Sequence, residues 1–247
     1  MFKATLAEPK LLKSSIDAIS NMIDEAGITV SGEGMRLRAM DPAHVALVDF
    51  ELSKEAFESL EVKEPCVLGL DLGRFNTILK RADAADKVTL ELKGEKRLKI
   101  LFKGEGSERR FEVPLIEVPE EEMKVPKLNF STVVEIDPKV VSEGIRDAEI
   151  VSDHVTFGVD PEGLTISGKG DLGNVEVKVG KDAAITFDSK EISRSMFSIE
   201  YLKDMIKAGD IANSVKLSLG NNIPIKMDFL APNGRLSFLL APRVESE

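Results

Sequence analysis

The chain has 247 residues, 43% hydrophobic and 31% charged, enough for two packed cores under a well-solvated surface. Lys and Arg total 33 against 43 Asp and Glu, a net charge of -10, which excludes a uniformly basic nucleic-acid surface but not a basic face on an acidic body. No apolar run approaches the ~18 residues of a spanning helix, no basic stretch leads into an apolar one at the start, and the lone Cys66 has no disulfide partner, so a reducing, cytoplasmic setting without membrane attachment is expected.

In chain order, Phe2–Leu6 alternates with period two and reads as a strand. Pro9 opens a helix on which Leu12, Ile16, Ile19 and Ile23 recur at helical spacing, with Gly27 as its stop. Ile28–Val30, Met35–Met40 and Val45–Phe50 are strand-like, and Gly32, Gly34, Asp41 and Pro42 supply the turns between them. The plan then restarts. Val67–Leu70 is a strand that makes Cys66 a buried thiol, and Leu72, Phe75, Ile78 and Leu79 mark a helix. Val88–Leu92, Leu98–Phe102 and Phe111–Ile116 follow as strands. Val118–Lys127 holds Pro119, Pro126 and three consecutive acids and reads as an extended connector. Its Met123 and Val125 either tack it to the body or line a groove. The second half repeats both units, with helices near 138–152 and 199–208.

The halves align over nearly their whole length. Pro9 falls on Pro138, Ile16 on Ile145, Gly34 on Gly163 and Leu37 on Ile166, at an offset of 129. Val88 falls on Val215, Leu98 on Ile225 and Phe102 on Phe229, at an offset of 127. This internal duplication predicts an α+β chain of two similar domains, residues 1–117 and 131–247, joined by a connector at 118–130. Each domain holds two β-α-β-β-β units, with two helices on one face of a mostly antiparallel sheet. A duplicated half with open sheet edges is a building block for a closed ring.

Catalytic chemistry finds little support. His44 and His154 are far apart, and neither Asp41-Pro42-Ala43-His44 nor Asp153-His154 has metal-ligand spacing. Gly32-Glu33-Gly34 lacks the following helix of a phosphate loop. No metal or cofactor is implied. A nuclease with scattered carboxylates and a monomeric or dimeric peptide-binding scaffold are the alternatives.

Several segments together resemble a known family. Met1-Phe2-Lys3-Ala4, the run Met35–Val48, Tyr201–Met205 and the ending Leu240–Glu245 are similar to the DNA sliding clamp of replication, the proliferating cell nuclear antigen family in its archaeal form. The resemblance implies a homotrimeric ring of six similar domains around duplex DNA, nucleoid-associated in an archaeal cell. Implied partners are DNA polymerase, the clamp loader, flap endonuclease and DNA ligase.

Three sites follow from the resemblance. Lys10, Lys13, Arg74, Lys80, Arg81, Lys139, Arg146, Lys203 and Lys207 would face DNA and meet phosphates without reading sequence. Asp17, Asp24, Glu143, Glu149 and Glu200 share those faces, so an ordinary mixed-charge helix surface stays open. Client peptides, carrying a glutamine, an aliphatic residue and two aromatics, would dock on Met40, His44, Val45, Leu47, Met123, Val125, Pro126, Pro224, Ala241, Pro242 and Arg243, with the tail 243–247 adding main-chain pairing, while Met40, Val45 and above all Leu47 also read as plain core. At the subunit contact, the strand Arg109–Glu117 with Phe111, Val113 and Leu115 would pair with Gly173–Gly180, which carries Val175 and Val177. Pro114 lacks a donor and would weaken that pairing. Arg81, Arg109 and Arg110 would meet Glu143 and Asp147 of a neighbour.

Overall fold

The computed structural model describes residues 1–94, 96–119, 123–171 and 173–243. Internal contacts divide the chain into two units. One comprises Met1–Met40, Val48–Lys124 and Pro232–Leu236, the other Asp41–Leu47, Val125–Ala231 and Ser237–Glu247.

The first half of the chain runs β1 (Phe2–Leu6), α1 (Lys10–Ile19), β2 (Glu25–Ser31), β3 (Gly34–Met40), β4 (Ala46–Ser53), β5 (Ser59–Val62), β6 (Cys66–Asp71), α2 (Leu72–Leu79), β7 (Lys87–Leu92), β8 (Arg97–Gly104) and β9 (Ser107–Pro114). Its strands are ordered β5-β1-β7-β8-β9 and β4-β3-β2-β6. The second half runs β10 (Thr132–Ile136), α3 (Pro138–Glu149), β11 (His154–Asp160), β12 (Gly163–Gly170), β13 (Gly173–Gly180), β14 (Thr186–Ser189), β15 (Ser193–Ser198), α4 (Ile199–Met205), β16 (Ser214–Leu219), β17 (Ile225–Ala231) and β18 (Gly234–Leu240). Its orders are β14-β10-β16-β17-β18 and β13-β12-β11-β15, so β10 to β18 reproduce β1 to β9 one for one.

The register repeats as well. Ile28 lies opposite Leu37 and Phe157 opposite Ile166, each 129 positions on. Val88 lies opposite Phe102 and Val215 opposite Phe229, each 127 positions on. The two offsets read from the sequence are therefore the offsets of two separate ladders.

Each helix closes a core with one apolar stripe. α1 buries Leu12, Ile16 and Ile19, and α2 buries Leu72, Phe75 and Leu79. α3 buries Val141, Ile145 and Ala148, and α4 buries Ile199, Leu202 and Met205. Phe50, Phe75 and Phe102 fill the first unit and Phe157, Phe197 and Phe238 the second, each side chain contributing roughly 1.5–3 kcal/mol by leaving water. Asp71 caps α2 by accepting from the Arg74 amide at 2.8 Å, and Asp137 caps α3 through the Lys139 amide at 2.8 Å, ahead of Pro138 in its first turn.

Some expectations give way to the structure. α1 ends at Ile19, and Ile23 is buried beyond it. Gly27 does not stop a helix. It lies in β2 opposite Gly69 of β6. A Cβ on Gly69 would sit 2.0 Å from the carbonyl oxygen of Ile116, whose amide donates to Gly69 O at 3.0 Å. A Cβ on Gly27 would meet Val67 of β6 at 2.8 Å and Val118 at 3.1 Å. The paired glycines thus make a strip along which the start of the connector lies. β5 was not expected, because Ser59-Leu60-Glu61-Val62 is short and only half-buried. β9 starts at Ser107 and ends at Pro114, earlier than the expected Arg109–Glu117. Cys66 is half-buried rather than core, and burial pushes its thiol pKa up, away from the reactive thiolate.

Gly34 and Gly163, aligned by the duplication, have φ of 130° and 155°, and a Cβ on either would lie 2.1 Å from a strand carbonyl, Leu52 O or Val179 O. Gly34→Ala is expected to destabilise by about 2–4 kcal/mol in denaturant unfolding, through backbone strain and that clash. Gly32→Ala, in the same turn with no atom within 4 Å, is expected to stay within about 0.5 kcal/mol. Equal midpoints for the two variants would refute the strained-glycine account.

Candidate functional site

Three surfaces carry the residues singled out in the sequence. The first is the polar side of the helices. In the first unit, α1 and α2 are joined by Asn76, whose Nδ2 donates to Asp17 Oδ1 at 2.8 Å and to Ser20 Oγ at 2.9 Å. Lys10, Arg74, Lys80 and Arg81 are exposed around this contact, with Lys80 paired to Asp17 at 2.6 Å. Lys13 is half-buried and donates to Ala82 O at 2.5 Å.

In the second unit, Lys139, Arg146, Lys203 and Lys207 line a cleft between α3 and α4, interleaved with Glu143, Glu149 and Asp210. Lys203 meets Glu149 at 2.5 Å, which raises the lysine pKa, and Lys207 meets Asp204 at 2.6 Å. These faces are mixed in sign. The pairs are exposed and screened by solvent, so an incoming phosphate can replace a carboxylate at little cost.

The second surface is a turn of the second unit. Asp41 is only 3% exposed. Its Oδ1 accepts from the Val45 amide at 2.7 Å and the Ala46 amide at 2.6 Å; its Oδ2 accepts from the Ala43 amide at 3.1 Å and the Tyr201 hydroxyl at 2.8 Å. The Asp41 amide donates to Ala46 O and the His44 amide to Asp41 O, both at 2.9 Å. The turn is tight enough to place His44 at φ 58°. Burial alone would push the Asp41 carboxyl up, but the Ala46 amide, the Tyr201 hydroxyl and the other amides outweigh it and hold the group below the usual carboxylate range. Tyr201 is pushed up to about 12, by burial first and then by its bond to Asp41.

The turn presents exposed Pro42, Ala43 and His44 and half-buried Val45. The Ala241 amide donates to Val45 O at 2.9 Å, so Ala241 and Pro242, both half-buried, lie beside it. Arg243 donates its amide to Met196 O at 2.7 Å, and its Nη1 lies 2.6 Å from His154 Nε2, which must accept because arginine only donates. Pro224 lies just before β17, and it, Val125 and Pro126 belong to the same unit as the turn. Leu47 is 4% exposed and belongs to the core, a correction to its expected place on the surface. Met40 and Met123 belong to the first unit, where Arg38 Nη1 donates to Met123 O at 3.0 Å and pins the connector there. Of the expected tail pairing, 244–247 lies outside the described residues.

The third surface is a pair of strand edges. β9 ends the order β5-β1-β7-β8-β9 and β13 ends β13-β12-β11-β15; neither has an outer neighbour among the described residues. Their counterparts β18 and β4 do neighbour each other. Ser53 N donates to Asn233 O at 3.0 Å within the first unit, and the Ala241–Val45 bond lies within the second. Phe111 of β9 and Val175 and Val177 of β13 are half-buried, as is Leu115 beyond β9. Val113 is 1% exposed and is core, a correction to its expected place at the contact.

Arg109 is also engaged at home. It donates to Arg81 O at 2.8 Å, pairs with Asp83 and Asp86, and covers the Phe102 ring at 5.5 Å. Arg81 and Arg110 are exposed, as are Glu143 and Asp147 of α3. The Arg109 cluster and the Asp41–Tyr201 bond escaped sequence reading because their partners are distant in the chain. The one available signal was the lone tyrosine at the start of an otherwise charged helix face.

The N-terminal domain model of proliferating cell nuclear antigen matches residues 1–122 and the C-terminal domain model matches 124–244. The chain is 39% identical to a DNA polymerase sliding clamp of Methanococcoides burtonii over 100% of both chains. It is 37% identical to DNA polymerase sliding clamp 1 of Thermococcus kodakarensis over 99% of each. Among solved structures, it is similar to a PCNA of Thermococcus kodakaraensis with a TM-score of 0.92, 27% identity and coverage of 98% and 100%. It is equally similar, with a TM-score of 0.92, 31% identity and full coverage of both chains, to A. fulgidus PCNA bound to the C-terminal region of FEN-1. With both domains matched in order and relatives of this identity spanning its whole length, the chain belongs to the proliferating cell nuclear antigen family.

Proposed function

We propose that this chain is a DNA sliding clamp, a non-catalytic processivity factor that closes as a homotrimer around duplex DNA and tethers DNA polymerase and flap endonuclease. The observation that carries the reading is the strand count. β18 and β4 neighbour each other, while β9 and β13, their duplicates, have no outer neighbour among the described residues. Pairing β9 of one copy with β13 of the next repeats the β18–β4 arrangement between molecules. The two edges differ, so the contact is head-to-tail, and such contacts close into a ring when the rotation suits. Clamp loader and DNA ligase are further proposed partners, on the family resemblance, and the proposed setting is the nucleoid in the cytoplasm.

Within this reading, the nine helix cations meet phosphates and the acids among them keep the contact weak. Weak, sequence-blind contact suits a protein that must move along DNA, since topological closure rather than affinity retains it. The turn at His44 and Val45, with Ala241 and Pro242, receives client peptides. A monomeric peptide-binding scaffold would share this turn but leave the edges open.

At low micromolar concentration the native mass is expected to be three times 27.0 kDa, about 81 kDa, by light scattering. A mass of one chain would defeat the ring. Arg110→Glu is expected to lower the trimer fraction and Glu143→Arg, added to it, to restore it; loss without rescue would remove the proposed ion pair between subunits. Replacing Lys139, Arg146, Lys203 and Lys207 together by Ala should flatten the salt dependence of binding to a short open duplex, by roughly 0.9 in log–log slope for each phosphate no longer neutralised. An unchanged slope would place DNA elsewhere.

A further inference from the structure

We infer that Tyr201 is a positioning residue for client docking: through Asp41, its hydroxyl holds the Pro42–Val45 turn in the shape that a client peptide meets. The inference rests on the proposed docking role of that turn. It assigns a task to a residue that touches neither client nor DNA in that reading.

The geometry carries it. Three amide donors of the turn converge on one carboxylate, and the fourth donor to that carboxylate is the hydroxyl of Tyr201, 160 positions away on α4. A turn of this size, with His44 at φ 58°, is not a conformation that a flexible chain holds unaided. The carboxylate organises the amides, and Tyr201 anchors the carboxylate to a helix whose Ile199, Leu202 and Met205 are buried. Without the anchor, Asp41 keeps its local amides but loses its link to α4. The turn then samples other shapes, and a client must reorder it on binding, so apparent affinity falls by the fraction of time the competent shape is populated.

Phenylalanine at 201 keeps the ring and removes one oxygen. The C-terminal region of FEN-1, as a synthetic peptide, is titrated calorimetrically into the full-length protein and into Tyr201→Phe, well below the unfolding temperature. The wild type is expected to bind and the variant to bind roughly 3- to 30-fold more weakly, below the roughly 10- to 150-fold worth of one whole hydrogen bond to a charged acceptor because three amides still hold Asp41. In nitrogen-15 spectra of the free variant, the amide signals of Ala43, Val45 and Ala46 are expected to shift or broaden while that of Ile145 on α3 stays in place.

Gly163→Ala, which destabilises the same unit at a distance, is the control and is expected to bind like wild type. Equal affinity of wild type and Tyr201→Phe overturns the inference and leaves the docking reading standing. An equal loss in Gly163→Ala also overturns it, because the effect is then one of stability. Failure of the wild type to bind removes the docking reading itself, and the inference with it.

Discussion

A strand at the edge of a sheet exposes amides and carbonyls that want partners. Among the described residues, β18 and β4 lie inside one sheet order, whereas their duplicates β9 and β13 each end one, as do β5, β6, β14 and β15. Duplication produced two copies of every strand, so the contact made by β18 and β4 has a second, unmade version in β9 and β13. Under the proposed pairing of β9 with β13, assembly needs no new surface, only a copy of one the chain already makes. The half-buried side chains Phe111, Val175 and Val177 fit this view, since an edge that stays in water has no need of an apolar row. Pro114 marks where that ladder ends, as the last residue of β9 and one without a donor.

The charges follow a similar logic. A net charge of -10 would repel DNA if spread evenly. The helix surfaces are mixed instead, with Asp17, Glu149 and Asp204 beside Lys80, Lys203 and Lys207. Each pair is exposed and weak. Under the proposed DNA-facing role, such a surface exchanges one weak partner for another, which suits motion along a phosphate backbone better than a deep positive well would.

Hydrophobic periodicity identified the elements well where the pattern was long. Leu12–Ile16–Ile19 and Leu72–Phe75–Leu79 are the buried stripes of α1 and α2, and the two alignment offsets are two ladders in register. It misled where a residue's reason was tertiary. Gly27 looked like a helix stop, yet it is small because the connector passes over it and Gly69. Val113 looked available and is core, and Leu47, readable as groove or core, is core, since one sequence cannot tell the two faces of a strand apart without knowing what covers each. Arg109 looked free to reach a neighbour, yet Asp83 and Asp86 hold it. The candidate docking turn was legible in its residues, His44 and Val45, but not in what shapes it.

That shaping depends on a carboxylate and could not be done by an amide of the same size. Both oxygens of Asp41 accept, Oδ1 from two amides and Oδ2 from an amide and a phenol. An asparagine would turn an NH2 toward donors on one side and leave them unpaired in a buried place. The ionised form is also what the turn stabilises, so Asp41, held below the usual range, contributes stability that is present above its unfolded pKa and lost only as pH falls through the lower folded value. Tyr201, held neutral, contributes stability that is full below its unfolded pKa and lost as pH rises toward about 12. Between those limits neither group changes charge. The Asp41–Tyr201 pair therefore keeps one electrostatic state across the neutral range, and a pH response of docking in that range would have to arise in other groups.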